Sequence, residues 1–237
     1  MTQQKQTQSL DVNDALSQSE AFIIKYKKAV IAGAVAIVVI VGGFFALKYG
    51  YFEPREEKAQ SLLTAGQQYL MQGDYEKALK GDGKTFPGYV KIAGEYSFTD
   101  AANAAKMYAG LCYAKSGKTK EAIKYLEDFS PRGDQSLSPQ AVFALANCYA
   151  SDNQTDKAIE TFKKAADLAD NPILSPISLL EAGKLLESQK KNEEALKLYT
   201  RIRDEYPTSA MSAPQPAQNG AIMSPDIDRY IERVSGK

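Results

Sequence analysis

A chain of 237 residues with 29 basic and 29 acidic side chains has a formal net charge of zero, and at roughly 100–200 residues per domain it makes one or two domains. It has no His and only two Cys, which excludes Ser-His-Asp and Cys-His catalysis, His-ligated zinc or haem, a four-ligand Cys/His zinc site and an imidazole pH switch. Zero net charge argues against a strongly basic nucleic-acid binder.

Residues 1–28 read as a polar N-terminal tail. Up to about residue 20 it is rich in Gln, Ser, Thr and Asp with almost no large apolar side chain, a composition that cannot bury a core. Residues 29–47, AVIAGAVAIVVIVGGFFAL, then hold no charged or polar side chain. About twenty such residues cross a hydrocarbon core as a helix, where every backbone group must be bonded internally. Lys25, Lys27 and Lys28 precede the run and Lys48 follows it, while Tyr26, Tyr49, Tyr51 and Phe52 stand where interfacial aromatics belong. The run is longer than the roughly 7–15 residues of a signal-peptide core and no A-x-A-like cleavage site follows. It is therefore expected to be a single transmembrane anchor. The lysines before it favour a cytoplasmic N-terminus, a weak bias because Lys48, Arg55 and Lys58 lie on the other side.

Residues 55–209 repeat. A large residue is followed nine positions later by Ala in four stretches: Tyr69 with Ala78, Tyr113 with Ala122, Tyr149 with Ala158, and Leu186 with Ala195. A small residue stands three positions before each large one: Gly66, Gly110, Ala146 and Gly183. The offsets between stretches are 44, 36 and 37. This pattern predicts antiparallel helix pairs. The small residue lets the helices approach, the large one fills the space beside it, and the Ala sits at the crossing. Polar turns between them carry Gly or Asn, suited to a left-handed helix end. Ser138-Pro139 and Ser175-Pro176 are expected to open repeats three and four as N-cap and first helical residue, and Pro207 to close repeat four. The first repeat is longer, with an insertion near 80–88. A break at Gly81-Asp82-Gly83 and resumption from Pro87 would let Tyr89, Ile92 and Tyr96 match Tyr199, Ile202 and Tyr206.

Cys112 and Cys148 occupy the same position in successive repeats. Stacked helices lie about 10 Å apart, beyond the roughly 7 Å Cα separation that a disulfide tolerates, so two buried thiols are expected. Residues 210–224, rich in Pro, Gln and Ala, read as a flexible loop. Residues 225–237 read as a capping helix, with Ile227, Tyr230, Ile231 and Val234 on one face.

The small/large/Ala pattern resembles the tetratricopeptide repeat, most fully in LLEAGKLLESQKKNEEALKLYTRIRDEYP. That resemblance implies an all-α chain: one N-terminal transmembrane helix, then a tetratricopeptide-repeat α-solenoid of about four helix pairs with a C-terminal capping helix. The inner face of such a solenoid is lined by the first helix of each pair, which makes Leu63, Gln67, Met107, Leu111, Phe143, Asn147, Leu180 and Lys184 the candidate protein-binding groove. The layout of SEAFIIKYKKAVIAGAVAIVVIVGGFFALKYG, and the stretch FPGYVKIAGEYSFTDAANAAKMYAGLCYAKSGKTKEAIKYLEDF, resemble the YfgM-like family. It implies a single-pass protein of a bacterial inner membrane with its repeat domain in the periplasm. Its implied partners are proteins or peptides, among them subunits of the Sec translocon and periplasmic chaperones. The alternative is a scaffold for envelope assembly or cell division that binds no client chains. No catalysis, cofactor, metal or nucleic-acid partner is expected.

Overall fold

The computed structural model describes residues 24–216 and 222–236. Residues 1–23 of the expected tail and 217–221 of the expected loop lie outside the described residues. The chain divides into two compact units, Met1–Pro54 and Arg55–Lys237.

In the first unit, helix α1 (Lys27–Leu47) begins two residues ahead of the expected span and passes into one π-helical turn, Lys48–Phe52. None of its residues is buried. A helix beginning at Lys27 is long and apolar enough to cross a membrane, and one that is apolar all round without protein covering it suits lipid. At its C-terminal end Phe45 stacks on Tyr49 at 5.9 Å, and the Lys48 ammonium lies 5.4 Å from the Tyr49 ring.

Among the described residues of the second unit the regular elements are helices apart from one small ribbon. Its helices run α2 (Glu53–Met71), α3 (Tyr75–Lys80), α4 (Tyr89–Glu95), α5 (Asp100–Lys115), α6 (Thr119–Glu127), α7 (Leu137–Ser151), α8 (Thr155–Ala169), α9 (Leu174–Ser188), α10 (Asn192–Glu205) and α11 (Asp226–Ser235). Each helix from α4 onward packs on the next, and the first helices α5, α7 and α9 also meet in series. That is the stacking of an α-solenoid.

The repeat is written into the backbone. Gly73, Gly117, Asn153 and Lys190 hold φ of 74°, 72°, 59° and 61°. Behind each, the next amide donates to the carbonyl of the large residue: Asp74 to Tyr69, Lys118 to Tyr113, Gln154 to Tyr149 and Lys191 to Leu186, all at 2.9 Å. This is one helix-terminating motif used in every pair. The four alanines Ala78, Ala122, Ala158 and Ala195 are fully buried, as is Ala146.

Over the small residue lies not the large residue of its own helix but a bulky one from the second helix. A methyl group added at Gly110 would meet Leu126 Cγ at 2.5 Å, and one at Gly183 would strike the Tyr199 ring. In repeat one the corresponding second-helix position is Asp82. The helix breaks there, and Phe86 and Tyr89 come back over Gly66, within 2.5 Å and 2.8 Å of a Cβ placed there. Asp82 holds the insertion. It accepts hydrogen bonds from the amides of Lys84, Thr85 and Phe86 at 2.8–3.0 Å and from the Tyr69 hydroxyl at 2.9 Å. Those donors keep its carboxyl well below the usual carboxylate range. Tyr89, Ile92, Tyr199 and Ile202 are all fully buried, and Tyr96 and Tyr206 nearly so.

Three local expectations need correction. The helices α7 and α9 start at Leu137 and Leu174, so Ser138 and Ser175 are buried first-turn residues rather than caps. The capping acceptors are Asp134, bonded by the amides of Ser136, Leu137 and Ser138, and Asn171, bonded by those of Ile173 and Leu174. A side chain three residues ahead of the first helical residue reaches several first-turn donors at once, which frees the serines to turn inward. Pro139 and Pro176 still sit in the first turn, where a missing N–H costs nothing. Pro225 precedes α11 instead of entering it. Finally, the expected loop is tied at its edges. Gln215–Pro216 pairs antiparallel with Ile222–Met223, and Ser209 and Ser212 are buried, with Ser212 Oγ donating to the Ile202 carbonyl at 3.2 Å.

Past the ribbon, α11 packs on α10. It buries Ile227 and lays Tyr230, Ile231 and Val234 against the same core. Arg233 grips Glu187 of α9 through Nε at 2.8 Å and Nη2 at 2.7 Å, and Glu187 also accepts from the Tyr199 hydroxyl.

Candidate protein-binding groove

Helices α5 and α7 are the first members of repeats two and three, and they lie side by side. Met107 and Leu111 are four apart on α5, and Phe143 and Asn147 four apart on α7, a spacing that puts each pair on one helix face. The structure brings these four together around one cavity of about 510 Å3, within the roughly 300–1,000 Å3 of ligand clefts. Met107 is buried at its floor and Asn147 is exposed at its lip. Phe143 is braced from behind by an edge-to-face contact with Phe162 of α8, centroids 5.4 Å apart. The Asn147 amide donates to its own helix at the Phe143 carbonyl, 2.9 Å away.

The remaining candidate groove residues do not join them. Leu63 and Leu180 are 4% and 8% exposed and belong to the two hydrophobic cores. They are corrected to packing residues: a first helix is covered both by its own partner and by neighbouring repeats, so most of its apolar positions go inward. Gln67 is exposed on α2, and Lys184 is half-buried on α9, paired with Glu181 at 2.8 Å. Neither lines the cavity.

Sequence reasoning missed Ala114, Lys115, Thr119, Gln140, Ala144, Cys148 and Ser151, which complete the lining. The signal was available: most of them continue the i, i+3, i+4 rows through Leu111 and Phe143. Cys112 and Cys148 are free and buried, as the repeat spacing predicts, but their surroundings differ. Cys112 lies in the core of the first repeats, where burial pushes its thiol pKa up to about 12. Cys148 faces the cavity, and burial raises its thiol as well. Among the described residues no group of His, Cys, Asp or Glu is arranged to hold a metal ion.

Residues 90–210 match the tetratricopeptide repeat-like domain family, which is just over half of the chain. The chain belongs to the tetratricopeptide repeat-like family. Two crystal structures of a protein described as a kinesin light chain of Podosopora anserina, with nearly identical TPR-like repeats, share its fold. One of the two is of a point variant. Each has a TM-score of 0.54 and 13% identity, over 76% of this chain and 86% or 87% of the other. At that identity the likeness is one of fold. No curated protein matches the chain. Tetratricopeptide repeat-like domains are protein-interaction modules that bind through the surface their stacked helices present.

Proposed function

We propose that this chain is a membrane-anchored protein-interaction module. Its N-terminus is cytoplasmic and its repeat domain stands on the outer face of a bacterial inner membrane, where it assists the Sec translocon and periplasmic chaperones in handling exported proteins. The observation that carries the reading is the apolar cavity between the first helices of repeats two and three, in a chain that also holds one helix fit to cross a membrane. A cleft built from Met107, Leu111 and Phe143 with an exposed amide at its lip suits a polypeptide segment that inserts an apolar side chain.

Two measurements test it. A reporter fused after Lys237, active only outside the cytoplasm, is expected to be active. Activity of a reporter that works only in the cytoplasm would overturn the topology. Crosslinking in intact cells followed by recovery of the full chain is expected to yield translocon or chaperone subunits and exported chains. Recovery of envelope-assembly or division proteins with no exported chain would favour the scaffold reading instead.

A further inference from the structure

The α5–α7 cavity has a charge as well as a shape. Of its lining residues only Lys115 is ionised, and no Asp or Glu is among them. The opposite wall, α7, reads LSPQAVFALANCYAS and carries no charged side chain. Among the described residues Lys115 makes no ion pair. Several basic groups elsewhere on the solenoid are answered within the fold. Lys184 pairs with Glu181, Arg201 with Asp167 and Glu205, and Arg233 with Glu187. Repeats one, three and four place Met71, Ser151 and Ser188 where repeat two has Lys115, so a cation at this repeat position is particular to repeat two.

We infer that the cleft takes an acidic amphipathic segment of a partner protein: a large apolar side chain enters between Leu111 and Phe143, and an Asp or Glu beside it on the segment pairs with Lys115. The inference rests on the groove reading above and names the chemistry of its occupant. An apolar side chain removed from water supplies the affinity. A carboxylate meeting an otherwise unanswered ammonium at the lip selects the partner and speeds its encounter, with sensitivity to salt. A basic segment would bring like charge to Lys115 and gain nothing in return.

The test uses the full chain in nanodiscs and three fluorescent peptides. One has Leu and Phe on one helical face and Glu on the other, the second has every Glu replaced by Lys, and the third keeps Glu but replaces the apolar face by Ser. Only the first is expected to bind. Lys115→Glu, an exposed position, is expected to weaken it about tenfold and to admit the Lys peptide. Asn147→Trp, which fills the lip from another exposed position, is expected to abolish binding of both. Equal binding of the Glu and Lys peptides, both blocked by Asn147→Trp, overturns the acidic preference and leaves the groove reading standing. Peptide binding unaffected by Asn147→Trp overturns the groove reading itself. Binding of oleate with no peptide bound overturns the assignment of a protein segment.

Discussion

Tyr89 and Tyr199 stand 110 residues apart at matching places in the first and last repeats, each fully buried over a glycine. Their hydroxyls differ. That of Tyr199 donates to Glu187, while that of Tyr89 meets no hydrogen-bond partner among the described residues. A buried unpaired hydroxyl costs about 1–3 kcal/mol, and a bond to a charged acceptor contributes a similar amount. Tyr89→Phe is therefore expected to raise the melting temperature of the repeat domain and Tyr199→Phe to lower it, as calorimetry would read. Lys190 is a second residue-scale case. It takes the left-handed backbone that Gly73 and Gly117 take at the equivalent turns. A side chain there costs about 1–2 kcal/mol, of which a glycine returns about 0.5–1 in unfolded-state freedom. Lys190→Gly is expected to stabilise by up to about 1 kcal/mol, read as a shift in the denaturant midpoint. Gly183→Ala works in the opposite sense, because its methyl would strike the Tyr199 ring. Overpacking of this kind costs about 1–3 kcal/mol.

At the scale of elements, α11 is held to the solenoid by an apolar face and by one cluster, Arg233–Glu187–Tyr199. The Arg233 guanidinium beside Glu187 is the first cause that lowers its carboxyl from the ordinary value. A carboxyl whose folded pKa is depressed contributes stability above its unfolded value, about 4.3, and that contribution is lost as pH falls through the folded value. Amide exchange in α11 is therefore expected to accelerate below about pH 4, before exchange in α7 and α8. Glu187→Gln is expected to bring that faster exchange to neutral pH. An α11 whose exchange shows no such acceleration would place its hold in the apolar face alone. The helices themselves were legible because Gly66, Gly110 and Gly183, with their alanines, must be small wherever backbones touch. Their start points were less so. Ser138 looks like a cap in sequence, and only the fold shows Asp134 reaching the same amides first. The groove was half legible for a related reason. Met107, Leu111, Phe143 and Asn147 share the faces that helical spacing suggests, whereas nothing local distinguishes Leu180 from Leu111, and packing from the neighbouring repeats decides which is covered.

For the whole molecule, a neutral average separates into an apolar helix with no charge between residues 29 and 47 and a charged solenoid. Inside that solenoid an apolar cleft carries Lys115, which makes no ion pair among the described residues. Repeat stacking makes each pair lean on its neighbours, so a disrupted crossing should weaken the cleft from a distance. Ala158→Leu, at a fully buried position of α8, is expected to destabilise by about 1–3 kcal/mol and to lower peptide affinity at α5–α7. Unchanged affinity with the expected loss of stability would show that the cleft is set by α5 and α7 alone.

Engagement of protein by the first-helix face between α5 and α7 is read without an intermediary by photo-crosslinking in cells. A photo-reactive residue is placed at Ser151, exposed at the edge of the α5–α7 cavity, and separately at Lys164, exposed on α8, in the full chain. Crosslinks to translocon or chaperone subunits or to exported chains are expected from position 151 and weakened when Lys115 is also replaced by Glu. The same partners crosslinked from position 164 alone would contradict it.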